Sequence, residues 1–167
     1  MGVNQRSQIV MSDEEINAFI EGSRTMTCIS LGATGHPHAV AMWYGIVDGD
    51  IVIETKAKSQ KVANLRRDPR ITCLMEGGDV YEELRGISIE GTGDVIEDPD
   101  YLWRVGVSVF ERYMQPYSED LKPLVEFMLN KRVAVRISSQ RVRSWDHRKL
   151  GMPSTGGPGG STWPVRV

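Results

Sequence analysis

Cysteine and histidine are scarce in this chain, aromatic residues make up only 7%, and no long apolar run occurs. Two cysteines, Cys28 and Cys73, are too few for a disulfide framework, and their spacing fits no zinc pattern with His36, His38 or His147. No metal site is expected. Each cysteine lies in an alternating apolar segment, the setting of a buried, reduced thiol. The absence of any uncharged apolar stretch of about 18 residues excludes a membrane-spanning helix. Residues 1–10 lack the basic-then-apolar leader of a secretory signal, so a cytoplasmic protein without membrane contact is expected. Charge of one sign is also missing, since the net charge is −2.

What is present is ordinary for a globular domain: 40% apolar and 25% charged residues over 167 positions, enough for one core. The pattern divides into a lead-in at 1–11, a domain at 12–150 and a Gly/Pro-rich segment at 151–167, whose composition suits a mobile or ligand-ordered tail.

Taken in order, Ser12-Asp13-Glu14-Glu15 is a capping box that predicts a helix from Asp13 to about Glu21, with Ile16, Phe19 and Ile20 inward. Strands are predicted over Thr25–Leu31, His38–Val47 and Ile51–Thr55, the last two joined by the turn dipeptide Asp48-Gly49. Asp68-Pro69 stops a short helix that begins near Ser59. Further strands cover Arg70–Glu76 and Gly86–Glu97, the latter carrying Ile87, Ile89, Gly91, Gly93 and Val95 on one face. Asp98-Pro99 opens a helix over Tyr101–Met114 that buries Leu102, Val105, Val109, Phe110 and Tyr113. Ser118 opens another through Asn130, with Leu121, Leu124, Val125 and Met128 inward, and Arg132–Ser138 closes the fold as a strand. The sum is a mainly β, α+β fold: a Greek-key antiparallel barrel of about six or seven strands flanked by helices.

The most informative stretch is Glu54–Arg70. Lys56, Lys58, Lys61, Arg66, Arg67 and Arg70 face a single acid after Glu54, Asp68, so residues 55–70 carry +5 and the remainder about −7. A compact basic run on an acidic body points to one bound anion. Its layout of strand, polar turn and helix start brings free backbone N–H groups to the positive end of a helix, where Thr55, Ser59 and Lys61 can add donors. The same run also fits a solvated basic helix face. Nucleic acid is not expected, because the run is short and has no interleaved aromatics.

The motif order His-x-x-x-Met-Trp-Tyr, Thr-Lys-x-x-Ser-x-Lys-x-x-Asn-Leu, Asp-Pro-Arg-Ile and Arg-Val-x-Ser-Trp-Asp resembles the pyridoxamine 5'-phosphate oxidase-like split β-barrel superfamily, within it the enzymes using the deazaflavin coenzyme F420. The resemblance covers about residues 12–150. It implies a homodimer with the cofactor in a groove between subunits. Thr55, Lys56, Ser59 and Lys61 would hold the cofactor phosphate and Asn64 would brace the turn. Met42, Trp43 and Tyr44 would lie along the ring with Met75 as a further wall, or all four would be plain barrel core; Trp145 with the following Asp146–Lys149 segment would fold across the site or reach the partner subunit, or His147 would make a plain surface excursion. The Gly/Pro-rich end departs from true pyridoxamine phosphate oxidases and argues against vitamin-B6 chemistry.

The implied activity is an oxidoreductase that passes a hydride from reduced F420 to an electron-poor small organic acceptor. The alternatives are an FMN-dependent oxidoreductase of the same fold and a non-catalytic flavin or deazaflavin carrier. Haem handling would require His38 or His147 as an iron ligand. No catalytic residue is assigned; Tyr44 and His38 are the conceivable proton donors. Lys58, Arg66, Arg67, Arg148 and Lys149 are candidates for the glutamyl tail that distinguishes F420 from FMN.

Overall fold

The computed structural model describes residues 5–153. In chain order they form α1 (Gln5–Gln8), α2 (Asp13–Gly22), β1 (Met26–Leu31), β2 (Pro37–Met42), β3 (Gly45–Val47), β4 (Asp50–Lys56), α3 (Gln60–Arg67), β5 (Arg70–Gly77), β6 (Arg85–Ile96), α4 (Pro99–Tyr113), α5 (Lys122–Leu129) and β7 (Arg132–Asp146). The strands make one seven-stranded sheet in the order β2-β1-β5-β6-β7-β4-β3. It is the antiparallel architecture with flanking helices that the sequence pattern predicts, in the split-barrel form that the resemblance implies. The chain groups into two compact units: one holds Ser23–Met75 and Ser88–Val142, the other the residues up to Gly22, Glu76–Ile87 and those from Arg143 on.

In the larger unit, local chemistry sets most elements. Asp48 and Gly49 both take positive φ, 54° and 84°, which is the geometry a two-residue hairpin between β3 and β4 requires. Asp98 caps α4 by accepting from the Tyr101 N–H at 2.8 Å, with Pro99 at the first turn. Val105 and Val109 of α4 then pack on Val47, Val52 and Ala134. The other sheet face buries Met26, Cys28 and Ser30 of β1 and Ile71, Cys73 and Met75 of β5. Cys28 and Cys73 stand directly opposite each other as free, buried thiols. At Gly91 a Cβ would lie 2.1 Å from the Ser138 carbonyl oxygen, so β6 and β7 can approach only because that position is glycine.

Several elements differ from expectation. The predicted strand His38–Val47 is two strands, β2 and β3, separated by Trp43 and Tyr44. Trp43 leaves the ladder to stack on Tyr113, while Tyr44 turns inward and its N–H donates to the Tyr113 hydroxyl at 3.1 Å. The closing strand runs on to Asp146, well past Ser138. The second helix of the pair starts at Lys122 after a 3-10 turn over Glu119–Leu121, and Leu124 faces solvent while Val125 is buried.

In the smaller unit, the capping box forms as predicted. The Ser12 N–H donates to Glu15 Oε2 at 2.7 Å, and the Glu15 N–H donates to Ser12 Oγ at 3.3 Å. Ile16, Phe19 and Ile20 are only half-buried. Residues 9–11, expected as part of a loose lead-in, are tied down: the Asp146 N–H donates to the Ile9 carbonyl at 2.7 Å, and the Met11 N–H donates to Ser144 Oγ at 3.0 Å. Ser12→Ala is expected to cost about 1 kcal/mol, read as a lowered urea midpoint at unchanged slope. An unaltered midpoint would show that the box adds nothing to this helix. The tail predicted for 151–167 falls from residue 154 outside the described residues.

Candidate functional site

The site is built at the junction of β4 and α3. Thr55 is buried near the end of β4, where the alternation of the strand turns its side chain to the face opposite Glu54 and Lys56. The chain turns through Ala57 and Lys58, held by the Ala57 N–H on the Lys131 carbonyl at 3.0 Å and the Ser59 N–H on the Lys56 carbonyl at 2.9 Å. Ser59 then occupies the N-cap of α3 with extended backbone but does not cap it with its hydroxyl. That hydroxyl instead lies 3.4 Å from Thr55 Oγ1, which also accepts from Lys61 Nζ at 3.0 Å. Two hydroxyls and an ammonium therefore converge at the start of α3. The first helical bond there is the Ala63 N–H on the Ser59 carbonyl at 3.1 Å, so the N–H groups of Gln60, Lys61 and Val62 have no helical carbonyl to meet.

Electrostatics agree with this geometry. Burial holds the Lys61 ammonium below the usual lysine range, and Arg132 adds to the shift, while Glu54 and the Cys28 side chain oppose it. A half-buried cation with its charge held down by desolvation gains when an anion arrives. Glu54, on the other strand face, pairs with Arg132, and burial pushes its carboxyl up against that pairing. Asn64, fully buried on α3, accepts from Gln60 Nε2 at 2.8 Å and donates to Ser30 Oγ at 3.0 Å, which fixes the helix to β1.

Of the residues singled out from sequence, Thr55, Ser59 and Lys61 are thus brought together, while the Asn64 side chain meets Gln60 and Ser30 instead. Lys56 is not: its ammonium donates to the Asn130 carbonyl at 3.1 Å on the other face. Met42 is half-buried on the inner face of β2, opposite Met26. Trp43 is 51% exposed, one ring face covered by Tyr113 at a centroid distance of 4.5 Å and an interplanar angle of 3°. Tyr44 is wholly buried; its hydroxyl donates to the Ser23 carbonyl at 3.0 Å and accepts from Arg112 Nη2 at 3.0 Å. Met75 is core. Trp145 belongs to the smaller unit and is half-buried there; in the same unit His147 Nδ1 lies 2.9 Å from the Tyr81 carbonyl oxygen. Ser30 was missed, although it is the one polar residue on the apolar inner register Met26-Cys28-Ser30.

The cations proposed for a polyanionic tail are mostly engaged. Arg66 pairs with Glu97, Arg67 donates to the Leu31 carbonyl, Arg148 forms a two-pronged pair with Asp146, and Lys149 meets Glu15. Lys58 has no partner among the described residues. No group of three or more potential ligands for a metal occurs among the described residues, and no described helix is long and apolar enough to cross a membrane.

Comparison with known proteins gives the family and the fold. The conserved hypothetical protein Rv2991 from Mycobacterium tuberculosis is 56% identical over 96% of this chain and all of its own, with a TM-score of 0.90. An F420 reductase aligns over 78% of this chain and 98% of its own at 18% identity and a TM-score of 0.59. A FAD-binding protein from Mesorhizobium loti aligns over 81% and 94% at 16% identity and 0.58. These two share the fold. No curated protein matches. The family profile described as pyridoxamine 5'-phosphate oxidase matches residues 12–146, most of the chain, and the protein belongs to that family.

Proposed function

We propose that this protein binds coenzyme F420 at the β4–α3 junction and serves as an oxidoreductase toward an electron-poor small organic acceptor. The observation that carries the proposal is the convergence of Thr55 Oγ1, Ser59 Oγ and Lys61 Nζ in front of the free N–H groups of α3. That donor set suits a phosphate monoester: hydroxyls and backbone N–H groups for its oxygens, one ammonium for its charge. The fold is shared with an F420 reductase and a FAD-binding protein, which supports a flavin-type occupant. When bound, the reduced cofactor supplies a hydride to a carbon–carbon or quinone-like acceptor. The residues of this chain then hold and orient: Lys61 and Ser59 anchor one end, and Met42 and Trp43 offer polarisable surface for a planar ring.

A titration with F420 and FMN side by side, followed by anaerobic turnover with a panel of acceptors, tests the proposal. Saturable F420 binding with acceptor reduction supports it; binding without turnover would leave a carrier. FMN remains the second reading, because Arg66, Arg67, Arg148 and Lys149 already have partners. Each exposed pair is worth only about 0–1 kcal/mol, so a glutamyl tail can compete for these cations but gains little from each. F420 with a long tail is therefore expected to bind only a few-fold more tightly than a short-tailed form, and the difference should vanish at high ionic strength. A tail-length effect that survives molar salt would contradict this distribution of charge.

A homodimer is part of the proposal. The inner face of edge strand β2 leaves His38, Val40 and Met42 only half-buried, and Trp43 and Met114 expose large apolar side chains in the same unit. A symmetric contact would bury such surface. Light scattering should return about twice the 18.7 kDa chain mass. A monomer mass at micromolar concentration would remove the shared groove.

A further inference from the structure

We propose that His38 is a cofactor-binding residue, its Nδ1 hydrogen-bonding the phosphate end of the occupant; this rests on the function proposed above. His38 is half-buried on the inner face of β2, and its Nδ1 is buried with no hydrogen-bond partner among the described residues. Native proteins keep few such atoms, because a buried nitrogen without a partner is destabilising. A ligand atom that arrives on binding accounts for its retention.

Position says which part of a ligand that would be. His38 stands directly opposite Ser30 across the β1–β2 ladder. Ser30 Oγ accepts from Asn64, and Asn64 accepts from Gln60, the residue beside Lys61 in the first turn of α3. One ladder step away, Val40 stands opposite Cys28, whose side chain lies within electrostatic reach of Lys61. The polar side chains of Gln60, Asn64 and Ser30 therefore run along α3 to the ladder position beside His38. The ring surface offered by Met42 lies at the other end of β2, two inward positions further on, or roughly 13 Å at strand spacing. His38 thus lies on the far side of Lys61 from Met42, where it meets the phosphate end of a ligand whose ring extends toward Met42. Tyr44, the other candidate on this stretch, is excluded because both roles of its hydroxyl are taken by Ser23 and Arg112.

The test uses the full-length chain with FMN and F420 as probes and three variants: His38→Leu, His38→Asn and Lys61→Ala. An asparagine amide reaches the position of Nδ1, whereas leucine leaves no polar atom there. His38→Leu is expected to lose about tenfold in affinity for the tighter-binding probe, and His38→Asn to stay within about threefold of wild type. The melting temperature of His38→Leu should equal or exceed that of wild type, since an orphaned polar atom is removed. A residue kept for the fold would instead lower it. Unchanged affinity in His38→Leu, alongside a loss in Lys61→Ala, would remove His38 and leave the function standing. A fall in both affinity and melting temperature that asparagine does not rescue would also overturn the assignment. Wild-type protein that binds neither probe would overturn the function itself, and His38 with it.

Discussion

Truncating Tyr44 to alanine is expected to destabilise the protein by about 3–5 kcal/mol, the range for deleting a buried aromatic side chain. Three connections fail at once. The ring is wholly buried, with the Arg112 guanidinium 4.4 Å from its centroid. The hydroxyl that joins Ser23 to Arg112 disappears, leaving the Ser23 carbonyl to its remaining bond from Arg112 Nη2 at 2.8 Å. The segment between β2 and β3 also loses the anchor that turns Trp43 outward. Tyr44→Phe isolates the hydroxyl and should cost about 1 kcal/mol. The pair of variants also bears on chemistry. Burial pushes the Tyr44 phenol above its usual range, and its proton is committed to a backbone oxygen, so it is a poor donor to a substrate. Folded Tyr44→Phe is accordingly expected to keep wild-type turnover with any acceptor the protein reduces. Loss of turnover without loss of stability would reinstate the tyrosine as a proton donor.

The parts of the fold that were legible in the sequence are those decided within a few residues. Ser12 and Glu15 satisfy each other's backbone, Asp48-Gly49 supplies two positive φ angles, and Asp98-Pro99 caps and starts a helix; each signal needs no knowledge of the rest of the chain. The failures have partners far away. Nothing near Trp43 announces that Tyr113 will stack on it, and so the break between β2 and β3 was invisible. β7 continues through Ser139, Gln140 and Arg141, which are exposed and lack the apolar alternation that reveals a strand. Leu124 follows the expected helical spacing but faces solvent, while Leu121, Val125 and Met128 of the same predicted face are buried or half-buried.

The candidate site divides along the same line. Thr55, Ser59 and Lys61 were readable because a strand end and a helix start fix them within seven residues. Lys56 could have been set apart by the same rule, since strand alternation puts it on the face of Glu54 and opposite Thr55. The commitments of Arg66 to Glu97 and Arg67 to Leu31 depend on where β1 and the end of β6 lie, which no local pattern states. A count of cations in sequence therefore overstated the charge free to meet a ligand tail.

Lys61→Ala is expected to weaken binding of FMN and F420 alike by about 1.5–3 kcal/mol, the range for a hydrogen bond to a charged group. The effect should be common to both because they share the phosphate, and it should spare the fold because Lys61 is only half-buried and its loss leaves Thr55 within reach of Ser59. A dependence on pH follows with a definite sign. Desolvation favours the neutral amine of Lys61 in the free protein, whereas a bound phosphate favours the ammonium, so binding takes up a proton wherever the free amine is partly deprotonated. Wild-type affinity should therefore fall as pH rises toward and through the Lys61 titration, which lies below the usual lysine range, and the alanine variant should lack that dependence. Riboflavin, which has no phosphate, supplies the control: its weaker binding should be indifferent to both the substitution and the alkaline shift. An equal loss of riboflavin and FMN affinity in Lys61→Ala would mean that the lysine shapes the groove and does not hold the phosphate, and the anion site would have to be sought elsewhere on the chain.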